Sequence, residues 1–180
     1  MTGIFKINNN EVIGSDGTFS GTIGSNATLP TKVTDKTYLY QAFRVGTSMV
    51  NFGIYNTTND LASGGKCTIN GCVPAGVTSI VEAVYIYIMN DSATGNAVSL
   101  EWYIGGSNED YNEDSLSSIE FASGINHTAN KLKYLSFLNV SSSPNRFEDK
   151  ISANDMFALA FQHLGGGDVR AIGAKITWRF

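Results

Sequence analysis

Two histidines, two cysteines and a scatter of carboxylates and aromatic rings are the residues of this chain with chemistry to offer. Nucleophilic catalysis needs a Ser or Cys beside a base, and His127 and His163 are the conventional bases present. Neither lies in a Gly-x-Ser-x-Gly elbow, a phosphate-binding Walker loop or a His-Glu-x-x-His helix motif. Gly165-Gly166-Gly167 opens no helix, so a turn between strands explains it better than a phosphate cradle. Cys67 and Cys72 flank Thr68-Ile69-Asn70-Gly71, a spacing that allows them to face each other across a turn built on Asn70-Gly71. Free thiols are the expectation, because a chain made and assembled in a reducing cytosol keeps them. A zinc site would need more ligands than these two thiols, and the histidines are not spaced to supply them.

The densest acidic patch is Glu109, Asp110, Glu113 and Asp114 with Asn108 and Asn112, whose oxygens suit Ca²⁺. It lacks the alternating ligands and central glycine of a calcium loop, so a solvated surface loop is expected. Glu82 and Glu101 are further carboxylates for acid and base work on a glycoside, although only their placement in space would make them a pair. Trp102, Tyr103, Tyr111, Trp178, Tyr85 and Tyr87 can stack on sugar rings. Trp102 and Trp178 fall on the apolar side of their alternation and read as core, whereas Tyr103 and Tyr111 stand beside a polar loop and remain candidates for a glycan. No catalytic residue, cofactor or metal site is expected, and the chain reads as a non-enzyme.

The elements that must position these residues are strands. Charged residues make up 16% of 180 positions, and Gly reaches 19, a balance that suits strands and tight turns. Tyr38 to Val45 and Met49 to Tyr55, parted by Gly46-Thr47-Ser48, predict a hairpin. Ile80 to Met89 is apolar on both faces, which predicts a central strand whose Tyr85/Tyr87 side meets another subunit. Val98, Leu100, Trp102 and Ile104 alternate with Ser99, Glu101 and Tyr103, as a strand with one wet face does. Gly105 to Asp114 reads as a loop, and Ser115 to Gly124 as a short helical turn or irregular crossing. Lys131 to Val140 is strand-like. Asp155 to His163 and Val169 to Phe180 predict a last hairpin, with Ile172, Ala174, Ile176, Trp178 and Phe180 on one face. Seven or eight short strands without a βαβ pattern predict an all-β fold, an antiparallel β-sandwich of jelly-roll type. Net charge of −4 with no basic cluster argues against nucleic acid. The start has no leader-like apolar region and the longest apolar stretch is too short to span a bilayer, so no membrane role is expected.

The opening residues differ from the rest. Phe5-Lys6-Ile7-Asn8-Asn9, Val12-Ile13-Gly14-Ser15-Asp16-Gly17 and Gly21-Thr22-Ile23-Gly24-Ser25-Asn26-Ala27-Thr28-Leu29-Pro30 alternate brief apolar runs with turn residues, too sparse to close a core. The segment from Ile4 to Pro30 resembles the openings of structural and fibre proteins of tailed phages, notably marine ones such as cyanophages. The resemblance implies localisation in the virion and a chain of two parts, an extended N-terminal attachment arm at 1–35 and a β-sandwich at 36–180. It implies a capsid decoration or short head-fibre subunit, with other capsid or tail proteins as partners and a homotrimer as the assembled state. The alternative is a glycan-binding domain of a tail fibre or lectin type that recognises a cell-surface receptor through Tyr103 and Tyr111.

Overall fold

Period-two alternation becomes strand along most of the chain. The structure is a computed structural model describing residues 5–7, 10–13, 33–43, 49–52, 55–58, 60–110, 114–141 and 145–180. The chain divides into Met1–Lys32 and Val33–Phe180. Within the first unit β1 (Phe5–Ile7) pairs antiparallel with β2 (Asn10–Ile13). The second unit carries β3 (Asp35–Phe43), β4 (Val50–Phe52), β5 (Tyr55–Thr57), β6 (Lys66–Cys72), β7 (Ser79–Met89), β8 (Ala93–Gly105) and β9 (Asp114–His127). After these come β10 (Leu132–Ser136), one helical turn α1 (Phe147–Lys150), β11 (Met156–His163) and β12 (Val169–Arg179).

Eight of these strands form one curled antiparallel sheet in the order β10-β7-β12-β3-β6-β11-β8-β9. β3 is the fold line. Its residues Asp35 to Gln41 pair with β12, and Ala42 and Phe43 pair with β6. The two halves, β10-β7-β12-β3 and β6-β11-β8-β9, stack on a shared core, and the chain crosses from one to the other between β3 and β6 and again after β6, β7, β9, β10 and β11. That is jelly-roll connectivity, as the alternation predicted.

The core shows why the strands alternate. Val98, Leu100, Trp102 and Ile104 of β8 and Phe157, Leu159 and Phe161 of β11 point inward and are buried. From the other half come Tyr85, Tyr87, Ala174, Ile176 and Trp178. The rings interlock: Tyr85 lies 4.6 Å from Phe161 and 4.8 Å from Phe137, and Phe147 of α1 lies 5.6 Å from Phe157. Each large side chain so buried contributes about 1.5–3 kcal/mol.

The structure corrects several expectations. The Tyr85/Tyr87 side of β7 is no subunit contact, since both rings are core, at 2% and 1% exposure. The hairpin expected between residues 38 and 55 does not form. β3 pairs with β12 and β6, while β4 pairs with β5, and Gly46, Thr47 and Ser48 lie outside the described residues. β11 and β12 are not a hairpin either: they belong to opposite halves, and Gly165-Gly166-Gly167 carries the chain across the sandwich. Ser115 to Gly124 is neither helical nor an irregular crossing but lies within β9, with several register shifts against β8. Finally, the ladder between β12 and β7 slips between Ala171 and Gly173. The extra residue, Ile172, turns outward with Val84, Ile86 and Ile88 into a second apolar cluster, and Ala174 onward returns to the core. Gly173 permits the slip, because a Cβ there would come within 2.0 Å of the Tyr40 carbonyl oxygen.

Candidate binding groove

On the outer face of β6-β11-β8 the alternation places Asn70, Ala158 and Tyr103 side by side in register. A small residue between two taller ones makes a trough. With neighbouring strands about 4.8 Å apart, its walls stand roughly 10 Å from each other at the backbone. The trough holds about 480 Å³ and is lined by Asn70, Tyr103, Met156, Phe157 and Ala158. Met156, 58% exposed and opposite Gly105, stands at one end. Toward the other end, Lys66 Nζ of β6 reaches 3.0 Å to Glu101 Oε2 of β8, bridging across the intervening β11.

The polar groups are already oriented. The Tyr103 hydroxyl donates to Glu101 Oε1 at 2.5 Å. That hydroxyl first, and the Lys66 ammonium second, hold the Glu101 carboxyl below its ordinary pKa. Glu101 is therefore a fixed carboxylate at neutral pH. Behind the trough, Tyr40 donates its hydroxyl to the Cys72 carbonyl and accepts from Trp178 Nε1, both at 3.1 Å, while its ring lies 5.0 Å from Phe157. This second line of contacts stiffens the strand ends beneath Asn70 and Phe157.

The remaining sequence candidates are placed apart. Glu82 lies on the outer face of β7, where it pairs with Lys175 at 2.8 Å, and Glu101 lies on the outer face of the opposite half, so they cannot act as one acid and base pair. In the acidic patch, Glu109 Oε2 accepts from the Gly106 amide at 2.6 Å, and Asp114 pairs with Lys150 at 2.8 Å. Asp155, nearby, accepts from the Ser152 amide at 2.7 Å. Tyr111, Asn112 and Glu113 lie outside the described residues. Among the described residues no group of three or more His, Cys, Asp or Glu side chains is arranged to hold a metal ion, and no helix is long and apolar enough to cross a membrane. The cysteines are free, with Cys67 facing the core and Cys72 exposed. The turn expected between them is straight strand, so five residues of extension, about 16 Å, separate them. Burial pushes the Cys67 thiol up to about 12.

Both histidines are sealed in the sandwich, His127 at 5% and His163 at 0% exposure. The two ring nitrogens of His127 have no hydrogen-bond partner among the described residues. Burial lowers both pKa values: Lys133 and His163 add to the effect at His127, and the Leu61 backbone and Asp168 oppose it at His163. Trp102 and Trp178 are core, as their alternation implied, at 1% and 0% exposure. The sequence pointed to Tyr103 but missed Asn70, Ala158 and Met156. The strand of Met156 and Ala158 is visible in the sequence, whereas that of Asn70 reads there as a turn, and the pairing that aligns the three is not visible.

No family model matches this chain, and no curated protein matches it. Solved structures do. The dimeric latent PorU of Porphyromonas gingivalis is similar over 87% of this chain at 16% identity and a TM-score of 0.44. The Gx strain of infectious bursal disease virus is similar over 89% at 12% identity and 0.43. The chain spans 14% and 36% of those two chains. TmCBM61, solved in complex with β-1,4-galactotriose, is similar over 81% of this chain and 88% of its own, at 12% identity and 0.37.

Proposed function

We propose that this protein is a non-enzymatic structural module of a virion, a capsid decoration or short head-fibre subunit. In it the N-terminal segment attaches to other virion proteins and the jelly roll is displayed. The observation that supports the non-catalytic part is the closure of the two histidines. His127 and His163, the bases a hydrolase of this composition would use, are shut inside the sandwich with no face toward the groove or solvent. Attachment is supported by the resemblance of Ile4 to Pro30 and by the division of the chain after Lys32. A homotrimer is the assembly proposed, and with Tyr85 and Tyr87 committed to the core its contacts fall on other surfaces. Residues 33–180 expressed alone should fold with the thermal transition of the full chain and fail to join particles lacking the protein. Normal incorporation of that fragment would overturn the attachment role.

A second reading, recognition of a cell-surface glycan, is favoured by the groove between Asn70 and Tyr103. Binding on a glycan array, absent for an unrelated jelly roll, is its test.

A further inference from the structure

We infer that the groove over Ala158 is a subsite for one neutral pyranose unit of a saccharide. This rests on the glycan reading above and adds which residues bind and which sugars they admit. Three properties of the groove agree. Its volume, about 480 Å³, lies within the range of small-ligand sites and suits one or two sugar rings. Its lining is amphipathic: the Ala158 methyl, the Met156 thioether and the Tyr103 ring offer an apolar surface, and the Asn70 amide offers both a donor and an acceptor. A pyranose has the same division, an apolar C–H face and a rim of hydroxyls, and aromatic rings receive such faces.

Charge decides the class of sugar. None of the five lining residues is charged, and beside them Lys66 is matched by Glu101. A sialic or uronic acid would bring a second carboxylate beside that of Glu101, against a lining that carries no positive charge among its five residues. A neutral sugar meets no such repulsion, and its hydroxyls can donate to the carboxylate that Tyr103 and Lys66 hold in place. Tyr103 is tied at its hydroxyl to Glu101, so its ring loses little freedom on binding, and preorganisation of this kind favours affinity.

The test uses the full chain and three variants, Ala158→Trp, Tyr103→Ala and Tyr103→Phe. Ala158 faces outward, so Ala158→Trp fills the trough without entering the core, and an unchanged thermal transition verifies that the fold is kept. The probes are arrayed oligosaccharides of glucose, galactose, mannose and N-acetylglucosamine beside sialylated and uronate-bearing ones, with hits titrated by calorimetry. The expected result is binding of neutral glycans that falls at least tenfold in Ala158→Trp and Tyr103→Ala and only a few-fold in Tyr103→Phe. Glycan binding that survives Ala158→Trp and Tyr103→Ala overturns the subsite and leaves glycan recognition standing elsewhere on the protein. Preference for acidic glycans overturns the neutral class. No binding to any glycan at millimolar concentration overturns both the subsite and the reading it rests on.

Discussion

Two tyrosines, the half-buried Tyr40 and the buried Tyr85, make opposite demands on their hydroxyls. Tyr40 uses its hydroxyl twice, toward the Cys72 carbonyl and from the indole of the fully buried Trp178. Tyr40→Phe leaves the indole N–H of the buried Trp178 without its acceptor and should destabilise the protein by about 1–3 kcal/mol in urea unfolding. The Tyr85 hydroxyl is buried without a partner among the described residues, and desolvation holds its pKa well above the ordinary value. Tyr85→Phe removes that unpaired group and should be neutral or stabilising by up to about 1 kcal/mol in the same measurement. The histidines set the pH response. Their folded pKa values lie below 6.5, so below that pH the unfolded chain binds more protons than the folded one. Stability is therefore full above pH 6.5 and declines as pH falls through the folded values. Thermal melts between pH 8 and pH 4 should show that decline, and His163→Phe should flatten it.

Strands, more than single residues, explain what could and could not be read in advance. β8 was legible because Val98, Leu100, Trp102 and Ile104 keep strict alternation and are all buried. The Tyr85/Tyr87 side of β7 was misassigned because a strand apolar on both faces does not announce which face meets its own core and which the outer cluster of Val84, Ile86 and Ile88. Phase was lost in β12 at Ile172, since one inserted residue reverses every side chain before it relative to those after. Long-range pairing was illegible altogether: β12 lies between β7 and β3, both distant in sequence, and adjacency of Asp155–His163 to Val169–Phe180 in the chain suggested a hairpin instead. The groove shared that fate, with Tyr103 visible as an outward aromatic and Asn70 hidden in a supposed turn. Two measurements belong at this scale. Gly173→Ala, at the slip in β12, should cost on the order of 2–3 kcal/mol in denaturant unfolding, because its methyl meets the β3 backbone. Cys72 should react with a thiol reagent in the native protein while Cys67 is labelled only in denaturant, and the strand between them should keep oxidised monomer free of an internal disulfide.

At the scale of the molecule, the division after Lys32 separates what is proposed to attach from what is proposed to present. Light scattering on the full chain should return the mass of three copies if the trimer is correct, and removal of residues 1–32 reveals whether the jelly roll alone holds it. The placement of β12 has a further consequence, in time. β12 fills the gap between β7 and β3, and β3 in turn joins the two halves of the sheet. On the ribosome, β3 emerges more than a hundred residues before its neighbour. Until β12 leaves the exit tunnel, β3 and β7 each wait with an unpaired edge. Pairing over such separations makes jelly rolls slow to fold and exposes those edges to other chains. Yield in a host should therefore respond to translation speed and chaperones more than to the stability of the finished sandwich.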